Sequence, residues 1–172
     1  MSDHSVQILD PAAVQAKLLR MAYQIYESAY GKTEFVMIGI GERGGFLAEL
    51  LLSHLQNISP IEIQYVQAEL DKTEGDPLLG IELEVDSLDD LTGKDLVVVD
   101  DVLYSGTTLL NVVCILLQAR PASIQTAVLI DRGHRTMPVA ADIIGMQLAT
   151  TIQQHVEVRI DADAGLAEAY LS

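Results

Sequence analysis

Between Leu96 and Leu109 the chain reads LVVVDDVLYSGTTL, and few folds accommodate such a run. Leu96–Val99 is uncharged and rich in β-branched side chains, the composition of a strand covered on both faces. It leads into Asp100 and Asp101, adjacent acids that need water, a partner or a ligand. Ser105, Gly106, Thr107 and Thr108 then form a turn. A helix is expected from about Thr107 to Ala119, ending before Pro121. A buried strand passing through a Gly/Ser/Thr turn into a helix is the building unit of an α/β sheet.

The rest of the chain repeats that grammar. Asp10-Pro11 is a helix start, with an acid as cap and proline in the first turn. Val14, Leu18, Met21 and Ile25 follow at helical spacing, and Gly31 ends the run. Phe35–Ile40 predicts a buried strand, Gly41–Gly45 (GERGG) a turn and Phe46–Leu55 a helix. Further strands are expected at Ile61–Val66, Ile81–Val85, Ser123–Ile130, Ala141–Gly145 and Val156–Ile160, with a terminal helix over Asp163–Tyr170. Together they predict one α/β domain over residues 1–172, a mainly parallel sheet flanked by helices. Gln67–Gly80, which contains DKTEGDP, lacks apolar periodicity and is expected to be a loop.

The balance of charge narrows the partners. Ten Lys and Arg stand against 25 Asp and Glu, for a formal net charge of −15. Nucleic-acid affinity rests on cations that neutralise phosphates, so this balance disfavours a surface making many phosphate contacts. The absence of Trp and 5% aromatic content disfavour a base-stacking platform. The single cysteine, Cys114, cannot form an internal disulfide. A cytoplasmic location is expected, with no signal peptide or membrane span. Cys114 is expected in the core. His4, His54 and His155 have no metal-binding spacing.

In parallel sheets, ligands gather beyond the carboxyl ends of the strands. The loops to inspect are therefore Gly41–Gly45, Asp100–Thr108 and Asp131–Arg135. Gly106 permits a tight strand-to-helix turn whose amides converge on an anion, and the helix N-terminus adds positive potential. The hydroxyls of Ser105, Thr107 and Thr108 are further donors. Asp100 and Asp101 can accept from a diol or sit beside a divalent metal. The spacing alone leaves two readings. One is a helix cap with a polar turn. The other is a phosphate pocket beside a diol-and-metal pocket, which describes a phosphorylated sugar.

VVVDDVLYSGTTL resembles the ribose-phosphate motif of the type I phosphoribosyltransferases, which use 5-phosphoribosyl 1-pyrophosphate (PRPP) and magnesium. The likeness covers nearly the whole chain. QILDPAAVQAKLLRMAYQIYE, GIGERGGFLAELL and RPASIQTAVLIDRGHRTMPVAADIIG, together with the acidic tail, resemble the branch of pyrimidine-operon attenuation proteins. DRGHR is the most branch-specific segment.

The resemblance implies a type I phosphoribosyltransferase-like fold with a small hood and a mobile loop at about 67–80, where Lys72 and Thr73 are the candidate substrate contacts. It implies that Asp100 and Asp101 hold the ribose hydroxyls and neighbour Mg2+, mostly through substrate and water. Ser105, Gly106, Thr107 and Thr108 would bind the 5-phosphate. Glu42, Arg43 and Gly44 would bind pyrophosphate, with Arg43 catalytic beside the two acids. Ile143, Ile144 and Gly145 would line a slot for the base, largely through main-chain groups. Asp131, Arg132, His134 and Arg135 are candidates for substrate or subunit contact, Asp131 near the metal or pyrophosphate. The implied reaction joins uracil to PRPP, giving uridine monophosphate (UMP) and pyrophosphate. A homodimer or larger homo-oligomer is implied as well.

Three departures stand against the resemblance. Thr107 occupies a position where the family commonly has a basic residue, so PRPP affinity is expected to be lower. The lid is shorter than usual and carries Asp71, Glu74 and Asp76. The RNA-facing surface of an attenuator is thinly supplied: the first helix offers Lys17 and Arg20, MQLATTIQQHVEV has no cation, and no lysine follows Lys94. Three functions therefore compete: a uracil phosphoribosyltransferase, an RNA-binding attenuator sensing uridine nucleotides, and a nucleotide-binding homologue without turnover.

Overall fold

The computed structural model describes residues 5–70, 80–151 and 153–172. Its centre is a six-stranded sheet made of β2 (Glu34–Ile40), β3 (Glu62–Leu70), β4 (Ile81–Leu83), β5 (Asp95–Leu103), β6 (Ser123–Asp131) and β7 (Ile143–Gln147), in the order β4-β3-β2-β5-β6-β7. All neighbours pair in parallel except β4, which closes one edge antiparallel to β3. Strand alternation divides the core. Phe35, Met37, Val97, Val99, Ala127 and Leu129 face helices α1 (Pro11–Ser28) and α2 (Gly41–Ile58). Val36, Ile38, Leu96, Val98 and Val128 face α3 (Thr107–Gln118). Helices on both faces explain why β5 shows continuous rather than alternating hydrophobicity.

Each helix follows from its sequence. The Asp10 carboxylate accepts from the Ala13 amide at 2.7 Å, and Pro11 begins α1. Val14, Leu18, Met21 and Ile25 form its buried stripe. Leu109, Val112 and Leu116 form that of α3. Cys114 lies about 200° around from Val112 at 3.6 residues per turn, and is exposed rather than in the core. GERGG is not a separate turn but the start of α2, which begins directly where β2 ends. Of the expected 67–80 loop, residues 67–70 belong to β3 and residues 71–79 lie outside the described residues, among them Lys72 and Thr73.

The hood is a three-stranded antiparallel sheet, β1 (Val6–Leu9), β9 (Leu166–Leu171) and β8 (Val156–Asp161), in the order β1-β9-β8. The expected terminal helix over Asp163–Tyr170 is therefore a turn followed by strand β9. Its alanines favour a helix locally. Pairing with β8 in a hairpin and with the remote β1 prevails, and it buries Ala167 and Ala169 on one face. Gly165, at φ +65°, makes the turn between β8 and β9. Packing of β8 against α2 and β5 sets the hood over the carboxyl end of the sheet.

β7 is the outer strand at the other edge. A Cβ on Gly145 would lie 2.6 Å from the Leu129 carbonyl oxygen and 3.1 Å from Met21 Sδ. Arg20 on α1 donates to the carbonyls of Ile144 at 2.9 Å and Gly145 at 2.7 Å, which satisfies part of that edge. Gly145→Ala is expected to push β7 from β6 and to cost about 1–3 kcal/mol, read as a lowered midpoint in urea unfolding. An unchanged midpoint would mean that β7 yields without cost.

Candidate active site

β5 carries Asp100 and Asp101 to the carboxyl end of the sheet, with Asp100 in register with Val128 of β6. The Asp100 side chain accepts from the Asp101 amide at 2.9 Å. Burial holds the Asp100 carboxyl well above the usual carboxylate range, and the neighbouring Asp101 charge pushes it the same way. The pair lies between two helix N-termini.

On one side is α2. Its N-cap, Ile40, has no capping side chain, and Gly41 turns the chain into the helix at φ +59°. A cleft of about 500 Å3 opens there, lined by Gly41, Glu42, Arg43, Asp100, Asp101 and Thr108 among others. The free first-turn amides and the positive end of the helix suit an anion. Arg43 spans the cleft wall, 3.9 Å from Asp101 and 3.8 Å from Glu157 of the hood. Gly44 is held against β5: a Cβ there would stand 2.8 Å from the Val99 carbonyl oxygen and 3.1 Å from Asp100 Cα.

This start of α2 is braced from β3. Tyr65 donates its hydroxyl to Gln67 Oε1. Gln67 Nε2 donates to the Gly41 carbonyl at 2.7 Å. Burial, followed by the charges of Glu49, Glu84 and Glu69, pushes the Tyr65 hydroxyl up to about 12, so it remains a donor at physiological pH. Tyr65 and Gln67 escaped the sequence reading. Their i, i+2 spacing on one strand face was the available signal.

On the other side is α3, whose N-cap is Gly106 at φ +85°. A Cβ at Gly106 would meet Val139 Cγ1 at 2.5 Å. Ser105 and Thr107 hydroxyls are bonded at 3.0 Å. The amides of Thr136 and Met137 both donate to the Ser105 carbonyl at 3.0 Å, so the 136–139 segment supports this turn from outside. A smaller cavity of about 60 Å3, lined by Asp100, Tyr104, Ser105, Gly106, Thr107 and Thr108 among others, lies here. Asp100, Val102 and Thr108 line both cavities, which makes them neighbours across the acid pair.

DRGHR faces inward more than expected. Asp131 is 3% exposed. It accepts from the Gly133 amide at 2.8 Å and pairs with Arg135 at 3.8 Å. It lines neither cavity. Arg132 is also 3% exposed and donates to Thr150, Thr151 and Gln154. It presents no guanidinium to a substrate phosphate or a second subunit. His134 Nε2 contacts the Thr150 carbonyl. Arg135 is exposed. Ile143 is buried in the core, and Ile144 and Gly145 lend their carbonyls to Arg20. None of the three lines either cavity.

Among the described residues no cluster of three or more His, Cys, Asp or Glu could hold a metal unaided. Two carboxylates beside an anion cleft nevertheless fit magnesium, which commonly binds through one or two carboxylates, substrate phosphates and retained water. Asp100 and Asp101 are the residues that would hold it.

The paired acids thus sit between two helix starts that have no side-chain cap, beside a hood strand. The chain matches the phosphoribosyl transferase domain family over residues 4–163 and belongs to that family. It is 36% identical over 172 residues to the bifunctional protein PyrR of Geobacter sp. (strain M21), spanning 95% of this chain and 94% of that one. It is 38% identical over 159 residues to the bifunctional protein PyrR of Fusobacterium nucleatum, spanning 88% of each. Similar solved structures include a hypoxanthine phosphoribosyltransferase from Trypanosoma cruzi, with TM-score 0.73, 17% identity and coverage of 87% and 75%. Another is a hypoxanthine-guanine phosphoribosyltransferase from Bacillus anthracis, with TM-score 0.69, 22% identity and coverage of 88% and 86%. At those identities the solved structures speak for the fold. Among the described residues no helix is long and apolar enough to cross a membrane.

The raised Asp100 group carries a pH signature. The folded chain keeps a proton there that the unfolded chain releases near the ordinary aspartate value of about 4, so stability falls as pH rises between the two values. Asp100→Asn is therefore expected to melt above wild type at pH 8, with the gap closing as pH falls toward about 4. A gap that ignores pH, or an Asn variant that melts lower at pH 8, would contradict the burial of this carboxyl.

Proposed function

We propose that the protein transfers the phosphoribosyl group of PRPP to uracil, releasing pyrophosphate and UMP. The observation that carries this reading is the acid pair set between two uncapped helix starts. One start suits the 5-phosphate and the other the pyrophosphate, with the ribose between them. Ser105–Thr108 would hold the 5-phosphate through hydroxyls and amides. Asp100 and Asp101 would accept hydrogen bonds from the ribose hydroxyls and orient the ring. Arg43, with the first amides of α2, would take up the charge that grows on the departing pyrophosphate.

In the reaction the bond from the anomeric carbon to pyrophosphate breaks and a bond to a uracil nitrogen forms. The proton on that nitrogen leaves to solvent. Magnesium would supply additional neutralisation of the pyrophosphate when bound. No covalent nucleophile is required, since the negative field of the acid pair suits an oxocarbenium-like centre. The base is assigned to the space beneath β8, because that strand lies over α2 and β5 while β7 is engaged elsewhere.

Similarity to proteins named bifunctional favours a second role, which we assign to binding of pyrimidine-gene RNA. It is the weaker reading. The net charge is −15, and Arg20 and Arg132 are engaged within the chain. Self-association is proposed through apolar surface such as Leu19 and Tyr23 of α1, which are 39% and 50% exposed.

Incubation with PRPP, magnesium and uracil is expected to yield UMP, with hypoxanthine, guanine and orotate inert in parallel. Asp100→Asn and Asp101→Asn are each expected to cut turnover by about 100-fold or more, the scale of removing one preorganised electrostatic group. A purine product would keep the site and overturn the base. Full turnover in both variants would overturn the site.

A further inference from the structure

Arg132 has a role that the proposed chemistry leaves unused. Its guanidinium is buried, yet among the described residues it has no carboxylate partner. A buried cation without a counter-ion is costly unless its donors are satisfied. Three of its five donors are satisfied by Thr150, Thr151 and Gln154: Nε donates to Thr150 Oγ1 at 3.1 Å, and Nη2 donates to the carbonyls of Thr151, at 3.3 Å, and Gln154. The carbon of the same guanidinium lies over the ring of Tyr104, 4.2 Å from its centroid. The Arg132 amide also donates to the Leu103 carbonyl at 3.2 Å.

Tyr104 directly precedes Ser105, the first residue of the phosphate turn, and lines its cavity. Gln154 ends two residues before β8, the hood strand above the acid pair. One side chain thus joins the floor of the phosphate site to the root of the hood. We propose that Arg132 is a positioning residue: it sets the Ser105–Thr108 turn through the ring of Tyr104 and locks that turn to the 150–154 segment, so that phosphate site and hood form one preorganised unit for a sugar 5-phosphate. The requirement is specific to arginine. Only a planar fork can stack on a ring and donate to three acceptors in its own plane, which a lysine ammonium cannot do.

The inference rests on the transferase reading, and the experiment separates the two. PRPP binding is measured by calorimetry with magnesium, and KM for PRPP and kcat are measured alongside, for wild type, Arg132→Lys, Tyr104→Leu and the double variant. Circular dichroism checks that each is folded. Arg132→Lys and Tyr104→Leu are each expected to weaken PRPP binding and raise its KM by about tenfold, the scale of a desolvated cation–ring contact. kcat should fall by a smaller factor. The double variant should be little worse than either single one, because both break the same link.

Singles that leave PRPP affinity within about twofold, or that multiply in the double variant as independent sites do, would overturn the inference. So would singles that lower the melting temperature while KM stays at the wild-type value, since that marks a merely structural residue. Wild-type protein that fails to bind PRPP would sink the transferase reading and this inference together. Wild-type binding with unaffected variants would sink the inference alone.

Discussion

The site depends on how closely the start of α2 approaches β5. With a Cβ at Gly44 only 2.8 Å from the Val99 carbonyl oxygen, no larger residue fits without moving backbone. That approach puts the positive end of a helix beside Asp100 and Asp101 and brings Arg43 within reach of the pair. Two acids left at the end of a buried strand would repel each other in a poor dielectric, and the raised Asp100 group records that penalty. The cationic surroundings that α2 and Arg43 provide are what make the pair serviceable as a site.

Around that contact the polar residues are arranged as braces. Tyr65 and Gln67 hold the first turn of α2 from β3. Segment 136–139 holds the α3 turn, with two amides on the Ser105 carbonyl and Val139 filling the space that only a glycine at 106 leaves open. Asp131 ties its own turn through Gly133 and Arg135. Such satisfied networks keep loops in a single geometry, which a site built from helix starts requires because its amides must converge without help from flexible side chains.

Legibility in the sequence followed the range of the interactions. The strands of the sheet and the stripes of α1 and α3 were readable, because apolar period and caps are local. Asp100–Thr108 was readable as a unit, because strand, acids, turn and helix start lie within one short stretch. The resemblance to the type I phosphoribosyltransferases predicted the hood. The start of α2 was read as a loose turn, because glycines mark both turns and close approaches, and only the facing strand distinguishes them. The β9 segment reads as helix in the sequence, because alanine favours a helix until β8 and the remote β1 pair with it.

Asp131, Arg132 and Ile143–Gly145 show the same limit from the side of function. Their identities suggested ligand contacts, yet the Arg132 guanidinium and the Ile144 and Gly145 carbonyls are bonded to distant parts of the chain, and the Asp131 carboxylate is tied within its own turn. By itself the sequence determined the α/β layering, the acid pair at a strand end and the glycine that lets α3 begin at a phosphate-sized turn, since each follows from neighbours along the chain. The tertiary structure alone decided that α2 also starts at that pair, that the hood strand β8 covers it, and that Arg132 faces inward. Those outcomes depend on which backbone lies within about 3 Å of which, a question that the order of residues answers only once the chain has packed.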